Sequence, residues 1–169
     1  MPLTRRHLLA MGALATAASV VGVAAVGASW WDQPAGTGYK HLSDEEAAII
    51  LALAGAAYPA TPQIPVSGAT LDADRFLDSA MDGLAPLLGD AVRAALHGIN
   101  ALPMSSHGGS FLSLTDAERG AVLISWIDSD LMPLRGVATL LVALMGMAYT
   151  SHPEVAPFFA VLHGCGYGR

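Results

Sequence analysis

One cysteine, Cys165, stands in 169 residues. No disulfide can form within the chain, and in an exported protein such a residue is a free thiol or one half of a bridge to another chain. A lone thiol cannot complete a structural zinc site or hold an iron–sulfur cluster, and without Cys-x-x-Cys-His there is no covalent c-type haem. Charge is scarce as well, at 13% of residues. The chain has 8 basic and 14 acidic side chains, net −6, and without Arg5 and Arg6 the balance is 6 to 14, net −8. Such a chain offers no electrostatic footprint for nucleic acid. Absent too is any alternating β-branched run long enough for a strand. What is left is apolar, 53% of residues with a mean hydropathy of +0.49, much of it alanine. That is enough to bury one core without staples.

The first stretch speaks about destination. Thr4-Arg5-Arg6-His7-Leu8-Leu9 is followed by an uncharged run through Ala28. Paired arginines directly ahead of an apolar stretch mark a bacterial twin-arginine export signal, a pathway that carries proteins already folded. Arg5 and Arg6 are therefore expected to engage the translocase and bring the protein to the periplasm or the outer face of the cytoplasmic membrane. Val26-Gly27-Ala28, or Val23-Ala24-Ala25, offers small residues for cleavage. About twenty uncharged residues also suffice to span a bilayer, so residues 8–28 alternatively stay as a membrane anchor. Their richness in Ala, Gly, Ser and Thr favours cleavage of residues 1–28. Residues 29–42 read as an irregular lead-in broken by Pro34, Gly36 and Gly38, carrying Trp30 and Trp31, which need burial.

Residues 43–169 read as an all-α domain, a compact bundle of about five helices. Ser43 and Glu46 form a capping box with Leu42 as staple, Ile50, Leu51, Ala54 and Ala57 follow at helical spacing, and Pro59 stops the run. Thr61 to Gly68 is loop by composition. Asp72 or Asp74 caps a second helix with Phe76, Leu77, Ala80 and Met81 on one face, ending near Gly83. Pro86 begins a third, striped by Leu88, Ala91, Val92, Ala95, Leu96 and Ile99. After a loop from Pro103 to Ser113, Thr115 and Glu118 box a fourth helix, through about Asp128. Pro133 opens a fifth, uncharged from Gly136 to Tyr149. That uncharged part is too short to cross a membrane and is expected to be the central core helix. Ser151-His152-Pro153-Glu154 is a stop followed by a short helical turn.

Chemistry-bearing residues are few. Gly164-Cys165-Gly166-Tyr167-Gly168 lacks the strand and helix that a dinucleotide fingerprint requires around it. His41, His97, His107, His152 and His163 show no i, i+4 pair on a helix. His163 and Cys165 alone are two ligands short of a metal site, and Cys165 as a nucleophile would rest on a glycine-rich, poorly supported segment. Asp74, Asp78 and Asp82 share one helical face, with Asp72 close by. This spacing is that of a metal or acid/base constellation, but it reads more simply as a solvated face near a helix N-terminus. No catalytic, cofactor-binding or metal-binding set is therefore assigned to this chain.

Taken in order, the leader, Leu42-Ser43-Asp44-Glu45-Glu46, Tyr58-Pro59-Ala60, Leu114-Thr115-Asp116-Ala117-Glu118-Arg119 and Tyr149-Thr150-Ser151-His152-Pro153-Glu154-Val155 resemble the gluconate 2-dehydrogenase subunit 3 family. These are small subunits of bacterial membrane-associated flavoprotein dehydrogenases. Tyr149, Ser151, His152, Pro153 and Glu154 are the motif positions near the end. The resemblance implies a non-catalytic partner of a large FAD-containing subunit of the glucose–methanol–choline (GMC) type. That large subunit lacks an export signal, and the small subunit escorts it across and stabilises the complex. A cytochrome c subunit, with its haem c, often receives the electrons, and Cys165 is a candidate bridge between subunits. The stretch Ala156-Pro157-Phe158-Phe159 and the cysteine-bearing tail depart from the family's usual ending, an aromatic residue and a Gly-Tyr-Pro-Gly-like segment, which leaves the sugar or alcohol open. Two rivals stand beside this reading. One is an independent exported enzyme with a site around His152 and Glu154 or the aspartates of the second helix. The other is a membrane-tethered assembly protein.

Overall fold

The computed structural model describes residues 33–162. Arg5, Arg6, the 8–28 segment, Trp30, Trp31, His163 and Cys165 lie outside the described residues. Within them all regular structure is helical. The helices are α1 (Asp44–Ala57), α2 (Ala73–Met81), α3 (Pro86–Ala101), the one-turn α4 (Met104–His107), α5 (Asp116–Ile127), α6 (Met132–Ser151) and α7 (Ala156–Leu162), with 3-10 turns at Gly68–Thr70 and Phe111–Ser113.

Local chemistry sets most of the boundaries. Ser43 is extended and accepts from the Glu46 N–H, while the Glu46 carboxylate takes the Ser43 N–H at 2.7 Å, so two of the orphan donors at the start of α1 are satisfied. Thr115 and Glu118 repeat the device at α5. Pro86 and Pro133 sit in the first turns of α3 and α6, where their missing N–H costs nothing. At the other end of α6, His152 is pushed to extended backbone by the proline after it. Gly108 closes α4 in the left-handed conformation, φ +72.

The hub is α1. Ile49, Ile50 and Leu53 are fully buried, each worth about 1.5–3 kcal/mol. They meet Leu77 of α2, Leu96 and Ile99 of α3, Phe111, Val122, Leu123 and Trp126 around α5, and Leu141 and Met145 of α6 in one core. The 3-10 turn at Gly68 lies against the backbone of α1, where a Cβ on Gly68 would run into the Ala54 carbonyl. A second, smaller cluster joins Leu71, Tyr149 and Val155 at the far end.

Two expectations are corrected. The uncharged helix is not central. With Met132 and Pro133 in its first turn, α6 runs 20 residues, longer than its uncharged stretch and long enough, with a mean hydropathy of 1.4, to cross a membrane. Only its Ala138, Leu141, Met145, Ala148, Tyr149 side is buried. Leu140 and Met147 are each 57% exposed, because no described element lies over them. The stripe on α3 is likewise split: Leu96 and Ile99 are buried, but Leu88 and Ala91 face outward, since α1 covers only the C-terminal half of that face.

Candidate functional site

The polar chemistry of the chain gathers where the lead-in meets α2. Asp74, Asp78 and Asp82 do fall on one face, but that face is not solvated: Asp74 and Asp78 are each only 6% exposed. The Asp78 carboxylate accepts the backbone N–H groups of Lys40, His41 and Leu42 at 2.9, 2.9 and 3.0 Å. Burial works to raise its pKa, and these three donors outweigh it and hold the group below the usual carboxylate range. Asp74 takes the Tyr39 hydroxyl, and this bond, aided by burial, pushes the Tyr39 pKa up to about 12. At the exposed end Asp82 takes Lys40 Nζ at 2.6 Å and His41 Nε2 at 2.9 Å, which lowers its pKa. Arg75 completes the clamp, donating to the Gly38 carbonyl with its guanidinium 4.1 Å over the Tyr39 ring. The helix therefore uses its acidic row to grip an irregular strap, whose N–H groups would otherwise lack partners.

A second centre was missed in the sequence. Glu46, read there as half of a capping box, is fully buried and also accepts from Arg93 Nε at 2.7 Å and His97 Nε2 at 3.2 Å, both on α3. Burial would raise its pKa, but His97, the Ser43 N–H and Arg93 together depress it to about 2. The available signal was Arg93 and His97 at i, i+4 beside buried Leu96, a pair of donors at the edge of an apolar face. The arrangement is structural in kind. Arg93 also donates from Nη2 to the Gln33 carbonyl at 3.5 Å, and no buried side-chain polar atom lacks a partner among the described residues.

The remaining candidates do not converge. His107 bonds Ser106 Oγ at 2.8 Å on an exposed turn. The Tyr149 to Glu154 motif is a joint. Tyr149 stacks on Tyr58 at 4.8 Å and donates its hydroxyl to the Val66 carbonyl. The carbonyl of His152 accepts from Val155 and Ala156 at 2.9 Å, while Ser151, Pro153 and Glu154 face solvent. Tyr58 in turn donates to the Val142 carbonyl of α6 at 3.0 Å. Among the described residues no three His, Cys, Asp or Glu side chains are placed to hold a metal.

Two surface hollows complete the map. One of about 320 Å3 lies by His41, Met81, Asp82, Pro86 and Arg93. The other, about 670 Å3, is a groove of small residues between α1 and α5, including Ala52, Gly55, Ala56, Gly120 and Ala121. In the first, the His41, Asp82 and Arg93 side chains are already bonded to other groups of the fold, and the second is lined mainly by small apolar residues.

A family model for gluconate 2-dehydrogenase subunit 3 matches residues 44–158. The chain belongs to that family. No curated protein and no solved structure gives a match. The gluconate 2-dehydrogenase subunit 3 match begins at the first residue of α1 and ends inside α7, so it spans the core and the Tyr149–Val155 joint. Its quoted motifs are explained by what they do locally: two capping boxes and an aromatic tie between α6 and the loop after α1.

Proposed function

We propose that this chain is a non-catalytic small subunit of a dehydrogenase complex. It binds a folded FAD-containing large subunit of the GMC type, stabilises it, and escorts it through the twin-arginine pathway to the periplasmic side. The observation that carries the reading is membership of a dehydrogenase subunit family over residues 44–158, behind a leader that holds Arg5 and Arg6. A signal for folded cargo on a domain whose buried carboxylates, Glu46, Asp74 and Asp78, are engaged in its own architecture calls for a cargo elsewhere. In this reading FAD belongs to the partner, haem c to a third subunit that takes the electrons, and Cys165 is available for a bridge between chains.

The test is co-expression with the proposed GMC-type large subunit. With Arg5→Lys and Arg6→Lys together, dye-linked dehydrogenase activity in the periplasmic fraction is expected to fall to background while cytoplasmic flavoprotein accumulates. Full export of the flavoprotein despite both substitutions would refute the escort role.

A further inference from the structure

The outward side of α6 is left exposed by the described residues. Gly136, Leu140, Ala143 and Met147 follow one another at i, i+4, i+7 and i+11 on that side, with Met132 a turn before, and all are exposed. From Gly136 to Ser151 the helix has no charged residue. The hydroxyl of Thr150, also on this side, is already donated to the Gly146 carbonyl at 2.8 Å. Arg135, at the near end, donates to the Ser129 carbonyl at 3.2 Å. Another exposed apolar group, Leu84, Leu87 and Leu88 around the start of α3, is by contrast interrupted by Asp90 and Arg93 and bordered by the His41–Asp82 pair.

Beyond the chain's own residues outside 33–162, three occupants could cover such a row, and the chemistry separates them. A helix lying on a lipid surface carries Lys and Arg beside its apolar side and Trp or Phe within it. Here Arg135 is the one basic residue of α6, Trp and Phe are missing from the helix, and a chain of net −6 is repelled by anionic headgroups. Crossing the bilayer is closed to a helix whose opposite side is in the core and whose Val142 carbonyl and Tyr149 ring are tied to Tyr58. A second copy would meet the row as one convex cylinder on another. From Met132 to Met147 the row is a strip roughly 24 Å long and 10 Å wide, about 240 Å2, well short of the roughly 800 Å2 per partner of a stable interface. A concave surface encloses the flanks as well, where Val137 and Leu144 are half-buried. The i, i+4, i+7 spacing is that of a helix read by an apolar groove, Gly136 and Ala143 admit close approach, and the methionines adapt to its contour.

We infer that the outward side of α6, from Met132 to Met147, seats in an uncharged apolar groove of the large subunit of the complex. This rests on the proposed small-subunit role and names its contact surface. The experiment uses the full chain co-expressed with the proposed GMC-type large subunit and measures the affinity of the pair after purification. Ala143→Arg with Met147→Arg is expected to weaken the complex at least tenfold while the helical circular dichroism and Tm of the small chain stay put. Leu88→Arg on α3 is expected to leave the complex unchanged. A wild-type chain that forms no complex with the flavoprotein overturns the small-subunit role and the groove together. A complex that tolerates the α6 pair, or is lost with Leu88→Arg alone, overturns the α6 assignment and leaves the role intact. The assignment also fails if the α6 pair abolishes binding to phosphatidylethanolamine–phosphatidylglycerol vesicles, or splits a homodimer, with the flavoprotein complex untouched.

Discussion

Helices α2 and α6 treat their side chains in opposite ways. The acidic row of α2 is covered, with Asp74 and Asp78 buried under the strap of residues 39–42. The largely uncharged α6 leaves a row of Leu and Met bare. Burial here follows the supply of partners, not the polarity of the residue. A carboxylate that would cost several kcal/mol if buried alone is stable in the interior once three backbone donors converge on it. An apolar row stays outside when no described element lies across it. Each large side chain on that row forgoes roughly 1.5–3 kcal/mol of burial, a gain still open to an associating subunit.

The comparison can be broken from its polar side. Glu46→Ala would remove the buried carboxylate that accepts from Arg93, His97 and the Ser43 N–H, and we expect a loss of about 3 kcal/mol in urea unfolding. The same group sets an acid limit. Its folded pKa of about 2 lies below its ordinary value of 4.5, so its contribution is fully present above pH 4.5 and is lost as pH falls towards 2. Asp78, also depressed, acts in the same direction. Thermal melts should therefore hold steady from pH 7 to about 5 and fall steeply below 4.5; a stability that is flat down to pH 2.5 would contradict the geometry around Glu46.

A smaller effect is expected at the strap. Asp78→Ala removes the acceptor for three backbone N–H groups, and a cost of about 2–3 kcal/mol should appear together with faster amide exchange at Lys40, His41 and Leu42. Smallest of all is the stability effect on the apolar side: the Ala143 and Met147 substitutions that sever the complex should move the free chain by no more than about 0.5 kcal/mol.

How much of this could be read in advance depends on distance along the chain. Both capping boxes, the prolines that open α3 and α6, and the stop before Pro153 are local, and the residues involved spell them out. Glu46 meets Arg93 and His97 across 47 and 51 residues, and Asp78 meets Leu42 across 36. No periodicity reports such pairs, so the acidic row of α2 read as solvated and the burial of Glu46 went unseen. For α6 the difficulty is different. A helix apolar on nearly every side has no sidedness to read, and which row is covered is decided by where α1, α2 and α5 lie.

Oxidation footprinting of the methionines tests the central claim most directly. Met132 and Met147 on α6 and Met104 on α4 are 73%, 57% and 54% exposed, whereas Met145 is fully buried. In the free chain the three exposed thioethers should oxidise readily and Met145 slowly. In the intact complex with the flavoprotein, Met132 and Met147 should be protected severalfold while Met104 keeps its rate. Unchanged oxidation of Met132 and Met147 in a complex shown to be intact would contradict the account.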